Sequence, residues 1–310
     1  MSTRTPRLRP PGERRRPLPS SVPKPEDPEA DERLRRILAS PSYRRSDRDL
    51  EFFERDDVRP LRLQLDYLKP EVLLTEAGVH GAIVVFGGTR LVERAAAERQ
   101  VAAAHAAVEA HPDDAEASAR VAVAERVLAK SAYYEAAREL GRLVGRSGAG
   151  PEDCRLIVMT GGGPGAMEAA NRGAYDVGAK SAGLNITLPH EQLPNPYITP
   201  ELCFQFRYFG MRKMHFMARA RALVAFPGGF GTFDELCETL TLIQTRTIEP
   251  LPVVLVGADF WRRAFPADVL AAEGLIDSED AELFCFAETA EEIWAAITQW
   301  YEEAGRTLCE

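Results

Sequence analysis

The sequence predicts a doubly wound α/β domain, a parallel sheet with helices on both faces, and two observations carry the prediction. From Gly81 onward, apolar runs of four to six residues alternate with helix-patterned segments, as strands buried on both faces require. Three of these runs also stop at glycine clusters that open into a following segment. Ligands of such domains bind at the carboxyl ends of the strands.

The strands are read in order. GAIVVF starts at Gly81 and ends in Gly87-Gly88-Thr89-Arg90. RLIVMT (155–160) ends in GGGPG and enters a helix, AMEAANRGAYDVGA. AGLNITLP (182–189) closes at proline, and ALVAFP (222–227) is followed by GGFGT and the helix FDELCETLTLIQT. LPVVLVG (251–257) precedes DFWRRAF, and LFCFA (283–287) precedes AEEIWAAITQWYEEAG. These six strands make a domain spanning 79–305. An alanine-rich stretch at 91–130 interrupts it, with HPDD as its turn; we read a helical hairpin in which nothing looks chemical.

Upstream, residues 1–30 form an arm of arginine and proline, with Arg4, Arg7, Arg9, Arg14, Arg15 and Arg16. Such a segment cannot bury enough apolar surface to order, so we read a solvated tail, with an RNA- or anion-binding arm as the alternative. From Asp31 to about Leu68 apolar residues recur at three and four, so 31–78 is read as helices that pack on the main domain.

Composition excludes several function classes. The chain has 310 residues, 45% hydrophobic and 27% charged, with a formal charge of −9. That charge argues against nucleic-acid binding by the folded part. No apolar run approaches the ~20 residues of a membrane helix, and the N-terminus lacks the apolar core of a secretory signal. The five cysteines (154, 203, 237, 285 and 309) show no metal-ligand spacing and read as reduced thiols of a cytosolic protein. No metal or organic cofactor is expected.

The chemistry gathers at the glycine-terminated strands: Gly87-Gly88, Gly161-Gly162-Gly163 and Gly228-Gly229-Phe230-Gly231. Glycine there lets a ligand approach the backbone, and the N-terminus of the next helix favours a phosphate. Neither the P-loop pattern nor GxGxxG is present, so the site is read as built for one phosphate on a small ligand. Glu235 follows directly. Thr232-Phe233-Asp234-Glu235 fits a T-x-x-E capping box; alternatively, the carboxylate points into the crevice and stabilises positive charge on a sugar or activates water. Upstream, YFGMRKMHFMARARA (208–222) is a helix that places Arg212 and Lys213 near the same sheet edge, with Met211, Met214 and Phe216 as packing residues. Arg212 and Lys213 could equally be solvated charges. His215 is read as a packing histidine.

Taken together, GGGPGAMEAANRGA, MRKMHFM and PGGFGTFDE resemble the LOG ("Lonely guy") family, whose members carry PGGxGTxxE behind an Arg-Lys pair and were once labelled lysine decarboxylases. The resemblance covers about Gly81 to Ala304 without the alanine-rich hairpin. It implies hydrolysis of the N-glycosidic bond of a nucleoside 5′-monophosphate, AMP or a cytokinin riboside 5′-monophosphate, in a protein that is at least a dimer. By position, Glu235 would be the catalytic carboxylate, Arg212 its partner and Lys213 a substrate neighbour. Gly228, Gly229, Gly231 and Thr232 would hold the phosphate, and Gly161, Gly162 and Gly163 would line the pocket with Gly87 and Gly88. The compact members lack the N-terminal helices and the hairpin. The segment LPHEQLPNPYIT (188–199) also departs from them, with Glu191 a candidate for base recognition. A decarboxylase would need pyridoxal phosphate on a lysine, and the sequence places no lysine beside the glycine loops in a context that suggests it. The alternative class is a nucleotide sensor or carrier that uses the same cradle without chemistry.

Overall fold

The computed structural model describes residues 26–111, 113–150, 153, 155–189 and 193–308. Most of the arginine-rich arm and Glu191 lie outside the described residues. The chain divides into two units, Met1–Arg59 and Pro60–Glu310. The first contains helices α1 (Ala30–Ala39) and α2 (Leu50–Phe53), with Asp49 capping α2 by accepting from the Phe52 amide at 3.2 Å.

The second unit is built on seven parallel strands. They are β1 (Gly81–Phe86), β2 (Leu156–Thr160), β3 (Ser181–Ile186), β4 (Cys203–Phe206), β5 (Ala220–Ala225), β6 (Val253–Val256) and β7 (Cys285–Ala287). Their order across the sheet is β4-β3-β2-β1-β5-β6-β7. The doubly wound reading holds, with one strand more than the six read from sequence. The strand missed is β4, CFQF, which is only four residues long and follows β3 through a loop with no α-helix to announce it. The boundaries also shift: β3 stops at Ile186, three residues before Pro189, and β5 begins at Ala220.

The helices that follow the N-terminal pair are α3 (Arg59–Glu76), α4 (Arg94–Ala110), α5 (Ala115–Ala129), α6 (Ser131–Arg146), α7 (Ala166–Asp176) and α8 (Phe209–Arg219). The remainder are α9 (Phe230–Gln244), α10 (Ala258–Ala264), α11 (Ala267–Ala272) and α12 (Ala290–Glu303). The alanine-rich stretch forms α4 and α5, joined by a short turn after which Asp114 caps α5. Alternation along β1 sorts the core into two layers. Ala82, Val84 and Phe86 join Leu74 of α3, Phe216 of α8, Leu236 of α9 and Trp261 of α10. Ile83 and Val85 join Leu140 of α6, Ala169 of α7 and Ile293 of α12.

The strand order sets the site. The chain builds outward from β1 to β4, then returns through α8 to place β5 on the other side of β1. The reversal leaves a crevice at the carboxyl ends of β1 and β5, where doubly wound sheets bind ligands. Backbone bonds tie the two ends together: the Phe226 amide donates to the Phe86 carbonyl and the Gly88 amide to the Pro227 carbonyl, both at 2.9 Å. The buried Trp261 indole donates to the Ala225 carbonyl at 3.1 Å and fixes α10 against the same strand end.

Helix α3 has a second task. The sequence pattern was read to about Leu68, yet the helix continues through Pro70 to Glu76. Packing overrides the proline: Pro70 and Leu74 are buried, and Glu71 receives a bidentate bond from the buried Arg219 at 2.7 and 3.0 Å. That bond holds the Glu71 carboxyl below its ordinary pKa. One turn earlier, an Asp66 oxygen accepts from the Arg207 and Tyr208 amides, each at 2.9 Å. Asp66 thereby fixes the segment from which α8, and with it Arg212, departs. Asp66→Ala is expected to lower unfolding free energy by about 1–2 kcal/mol in a denaturant titration, and Asp66→Asn, which keeps an acceptor, by less.

Candidate active site

A cleft of about 300 Å³ lies at the crevice. This is the lower end of the ~300–1,000 Å³ range of small-molecule sites. Gly87 and Gly88 after β1, Gly161 after β2, and Gly229, Gly231 and Thr232 after β5 all line it, as does Arg212 from α8. Three strand ends and one helix start thus converge as the glycine pattern required.

The glycines divide by what surrounds them. A Cβ on Gly228 would stand 2.1 Å from Thr232 Oγ1, and Gly162, at φ +72°, holds its α-carbon face against Asn185 Oδ1. These two are demanded by close packing and by left-handed backbone, whatever binds nearby. Gly229 and Gly231, in contrast, have nothing within 4 Å of where a Cβ would sit. Their bareness opens onto the cleft. Gly162, Gly163 and Gly228 do not line the cleft, although all three belong to the loops that frame it.

Helix α9 starts earlier than the capping-box reading requires. Its N-cap is Gly229, so Thr232 is already inside the first turn and Glu235 lies in the second. The Thr232 and Phe233 amides both donate to the Gly229 carbonyl, which lets the side-chain-free loop enter the helix at once. The capping box is therefore absent. Instead Glu235, only 1% exposed, has no hydrogen-bond partner at either oxygen and meets Arg212 Nη2 at 3.5 Å. Burial pushes its pKa up to about 7, outweighing the opposing charges of Arg212 and Lys213, while Glu238 and Asp234 push the same way as burial.

Arg212 is held loosely for a buried guanidinium. Its side chain is 13% exposed, its Nε is without a partner, and its plane lies over the rings of Phe209 at 5.1 Å and Phe216 at 5.7 Å. Arg212 lines the cleft and Glu235 does not. Lys213 is also off the lining. Its ammonium bonds Asp234 at 3.0 Å and Glu238 at 2.8 Å. Burial opposes the charge, but those bonds prevail and raise its pKa. It ties α8 to α9 and adds positive charge behind Glu235.

Of the three apolar residues read as packing in α8, Phe216 is buried and Met211 joins the core, whereas Met214 is exposed. His215 is buried and stacked on Tyr67, with Nε2 donating to the Tyr67 carbonyl at 3.0 Å; a carbonyl only accepts, so Nε2 carries the hydrogen. Burial lowers its pKa, in keeping with a neutral packing histidine.

Sequence reading missed Thr89, Met167, Asn185, Leu188 and Phe209 on the cleft wall. Asn185 carried a signal, a polar residue closing the apolar run AGLNI at a strand's carboxyl end. A buried polar chain supports the GGGPG loop from behind. Thr160 Oγ1 accepts from the Gly162 amide at 2.9 Å and donates to Asn171 at 2.7 Å. Asn195 donates to Asn171 at 3.0 Å and to the Gly163 carbonyl at 3.2 Å. Among the described residues no cluster of histidine, cysteine or carboxylate could hold a metal, and no helix is long and apolar enough to cross a membrane.

Comparison with known proteins bears on this arrangement. A family model described as "Possible lysine decarboxylase" matches residues 167–297. The chain is 30% identical over 179 residues to the cytokinin riboside 5′-monophosphate phosphoribohydrolase LOG of Oryza sativa subsp. japonica, covering 56% of this chain and 69% of that protein. It belongs to the LOG family. Against the phosphoribohydrolase LOG3 of Arabidopsis thaliana the identity is 29% over 189 residues, 58% of this chain and 82% of that one. Among solved structures, the molybdenum cofactor carrier protein of Chlamydomonas reinhardtii shares 19% identity, covering 72% of this chain and 98% of its own, at a TM-score of 0.39. The fold assignment rests on the strand order instead.

Two alanine variants of this LOG-family chain separate packing from binding. Gly228→Ala drives a methyl into Thr232 and is expected to lower thermal stability by about 1–3 kcal/mol. Gly231→Ala meets no atom and stands in a helix, so stability is expected to hold or rise while affinity for a phosphate ligand, followed by titration calorimetry, falls.

Proposed function

We propose that this protein is a nucleoside 5′-monophosphate phosphoribohydrolase, releasing free base and ribose 5-phosphate. The observation that carries the reading is a buried carboxylate with its pKa near 7, in contact with a cleft-lining arginine, one turn beyond a glycine-rich phosphate cradle. The LOG relatives, named for cleaving cytokinin riboside 5′-monophosphates, supply the reaction class.

The reaction needs little machinery. A phosphate seated on the amides that open α9 draws Arg212, whose Nε is unpartnered, toward the ligand and away from Glu235. The C1′–N bond breaks with its electron pair leaving on the base, and positive charge develops over C1′ and the ring oxygen. The Glu235 carboxylate, freed toward the sugar, stabilises that charge and accepts a proton from the water whose hydroxyl adds to C1′; the departing base takes a proton from solvent, to which Glu235 later returns its own. Phosphate contacts remote from C1′ hold the sugar in register. AMP and cytokinin riboside 5′-monophosphates are the substrates proposed. The self-association implied by the resemblance belongs to the same proposal; the Phe230 ring, 96% exposed beside the cradle, offers it an apolar contact.

Incubation with AMP, read by chromatography of free adenine, tests the proposal. Because ionised Glu235 is the active form, kcat/KM is expected to climb through about pH 7 and level off above it. Glu235→Gln is expected to lower kcat by about 10²–10⁴-fold and to abolish that limb. One observation favours a second reading, a nucleotide carrier or sensor: Glu235 does not itself line the cleft. Nucleotide binding with no base released from any monophosphate would select that reading.

A further inference from the structure

A second cavity of about 480 Å³ adjoins the cleft, on the other side of the wall made by Gly88, Thr89 and Gly229. The hairpin closes it: Val123, Arg126, Val127 and Lys130 recur at the helical spacing that puts them on one face of α5, and that face lines the cavity. Arg90, from the loop after β1, adds a third cation. None of Arg90, Arg126 and Lys130 has an ion-pair partner among the described residues, and no carboxylate is among the residues that line the cavity.

This arrangement is unfavourable by itself. Arg126, in the last turn of α5, and Lys130, at its C-cap, stand at i and i+4, where like charges repel. Two other cations of the hairpin are paired: Arg94 bonds Glu98, and Arg120 bonds Asp114 and Glu116. The charges of Arg126 and Lys130 look onto the glycine loops, where backbone and the N-terminus of α9 add their own positive potential. The residues that a sequence reading passed over as non-chemical are thus the ones that complete a basic pocket.

We infer that Arg90, Arg126 and Lys130 form a second anion site that takes a phosphoryl group, next to the proposed substrate site and separated from it by Gly88 and Gly229. Its occupant is either a free inorganic or organic phosphate, or the distal phosphate of a nucleotide whose first phosphate sits in the cradle. The inference does not depend on the cleavage reaction; its second occupant rests on the proposed nucleotide-binding role of the cradle.

Titration calorimetry of the full chain with inorganic pyrophosphate, AMP and ADP tests it. Pyrophosphate is expected to bind the wild type with an affinity that falls as salt rises. Arg126→Gln/Lys130→Gln is expected to weaken that binding about ten-fold or more while AMP affinity changes less than about two-fold, both set by removal of two charges from an exposed helix face. Arg90→Gln, on a loop and clear of α5, is expected to weaken pyrophosphate in the same direction, which guards against a folding defect of the hairpin. Pyrophosphate that binds beside saturating AMP identifies a separate anion. Pyrophosphate displaced by AMP, with ADP tighter than AMP in the wild type alone, identifies the distal phosphate of a longer nucleotide. Absent pyrophosphate binding, equal binding by wild type and variants, or equal losses for AMP and pyrophosphate would overturn the inference. Failure of the phosphoribohydrolase reading would show separately, as AMP that binds and is not cleaved.

Discussion

A carboxylate removed from water without a hydrogen-bond donor is a costly group, and the strand-end crevice is organised around one. Glu235 sits in the second turn of α9, buried, with the Arg212 guanidinium 3.5 Å away and the Lys213 ammonium behind it as counter-charges. Desolvation wins over that attraction, so the carboxyl titrates near 7. A group poised there changes protonation readily, which suits the role proposed for it, carrying negative charge as a sugar becomes positive and taking up a proton afterwards.

The surrounding structure keeps this arrangement from relaxing. Arg212 meets Glu235 through one nitrogen at 3.5 Å, and its helix α8 is fixed at its start by Asp66 and at its end by the Arg219–Glu71 pair. Lys213 engages Asp234 and Glu238 on α9, so the two helices hold one another one residue away from the Arg212–Glu235 pair. The loops are fixed by different means. Bonds between the ends of β1 and β5 close the crevice floor, and the Thr160–Asn171–Asn195 chain supports GGGPG. With its walls set in this way, the cleft leaves Gly229 and Gly231 bare for a ligand.

How far this was legible in the sequence follows from the physics of each part. Buried parallel strands announce themselves as apolar runs, so β1, β2, β5 and β6 were readable; β4, short and without a flanking helix, was not. Glycine clusters marked the three converging strand ends, but spacing could not tell a glycine needed for packing, such as Gly228, from one that faces open space, such as Gly231. T-x-x-E had the spacing of a cap, and only the true helix start at Phe230 shows that Glu235 is too deep to act as one. Pairing of Lys213 with two acids, and the basic face of α5, depend on contacts between segments distant in sequence. A helical period reveals such a face only once its neighbour is known.

The most direct test of the account is the pH dependence of stability in wild type and Glu235→Gln. The unfolded carboxyl ionises near 4.5 and the folded one near 7, so the cost of holding it ionised is absent well below pH 4.5 and complete well above pH 7. Unfolding free energies from denaturant titrations at pH 4 to 8 are expected to show the variant gaining on the wild type as pH rises, by roughly 3 kcal/mol across that window. A difference that stays flat over the same range would mean that Glu235 titrates as an ordinary carboxylate, and would contradict the account.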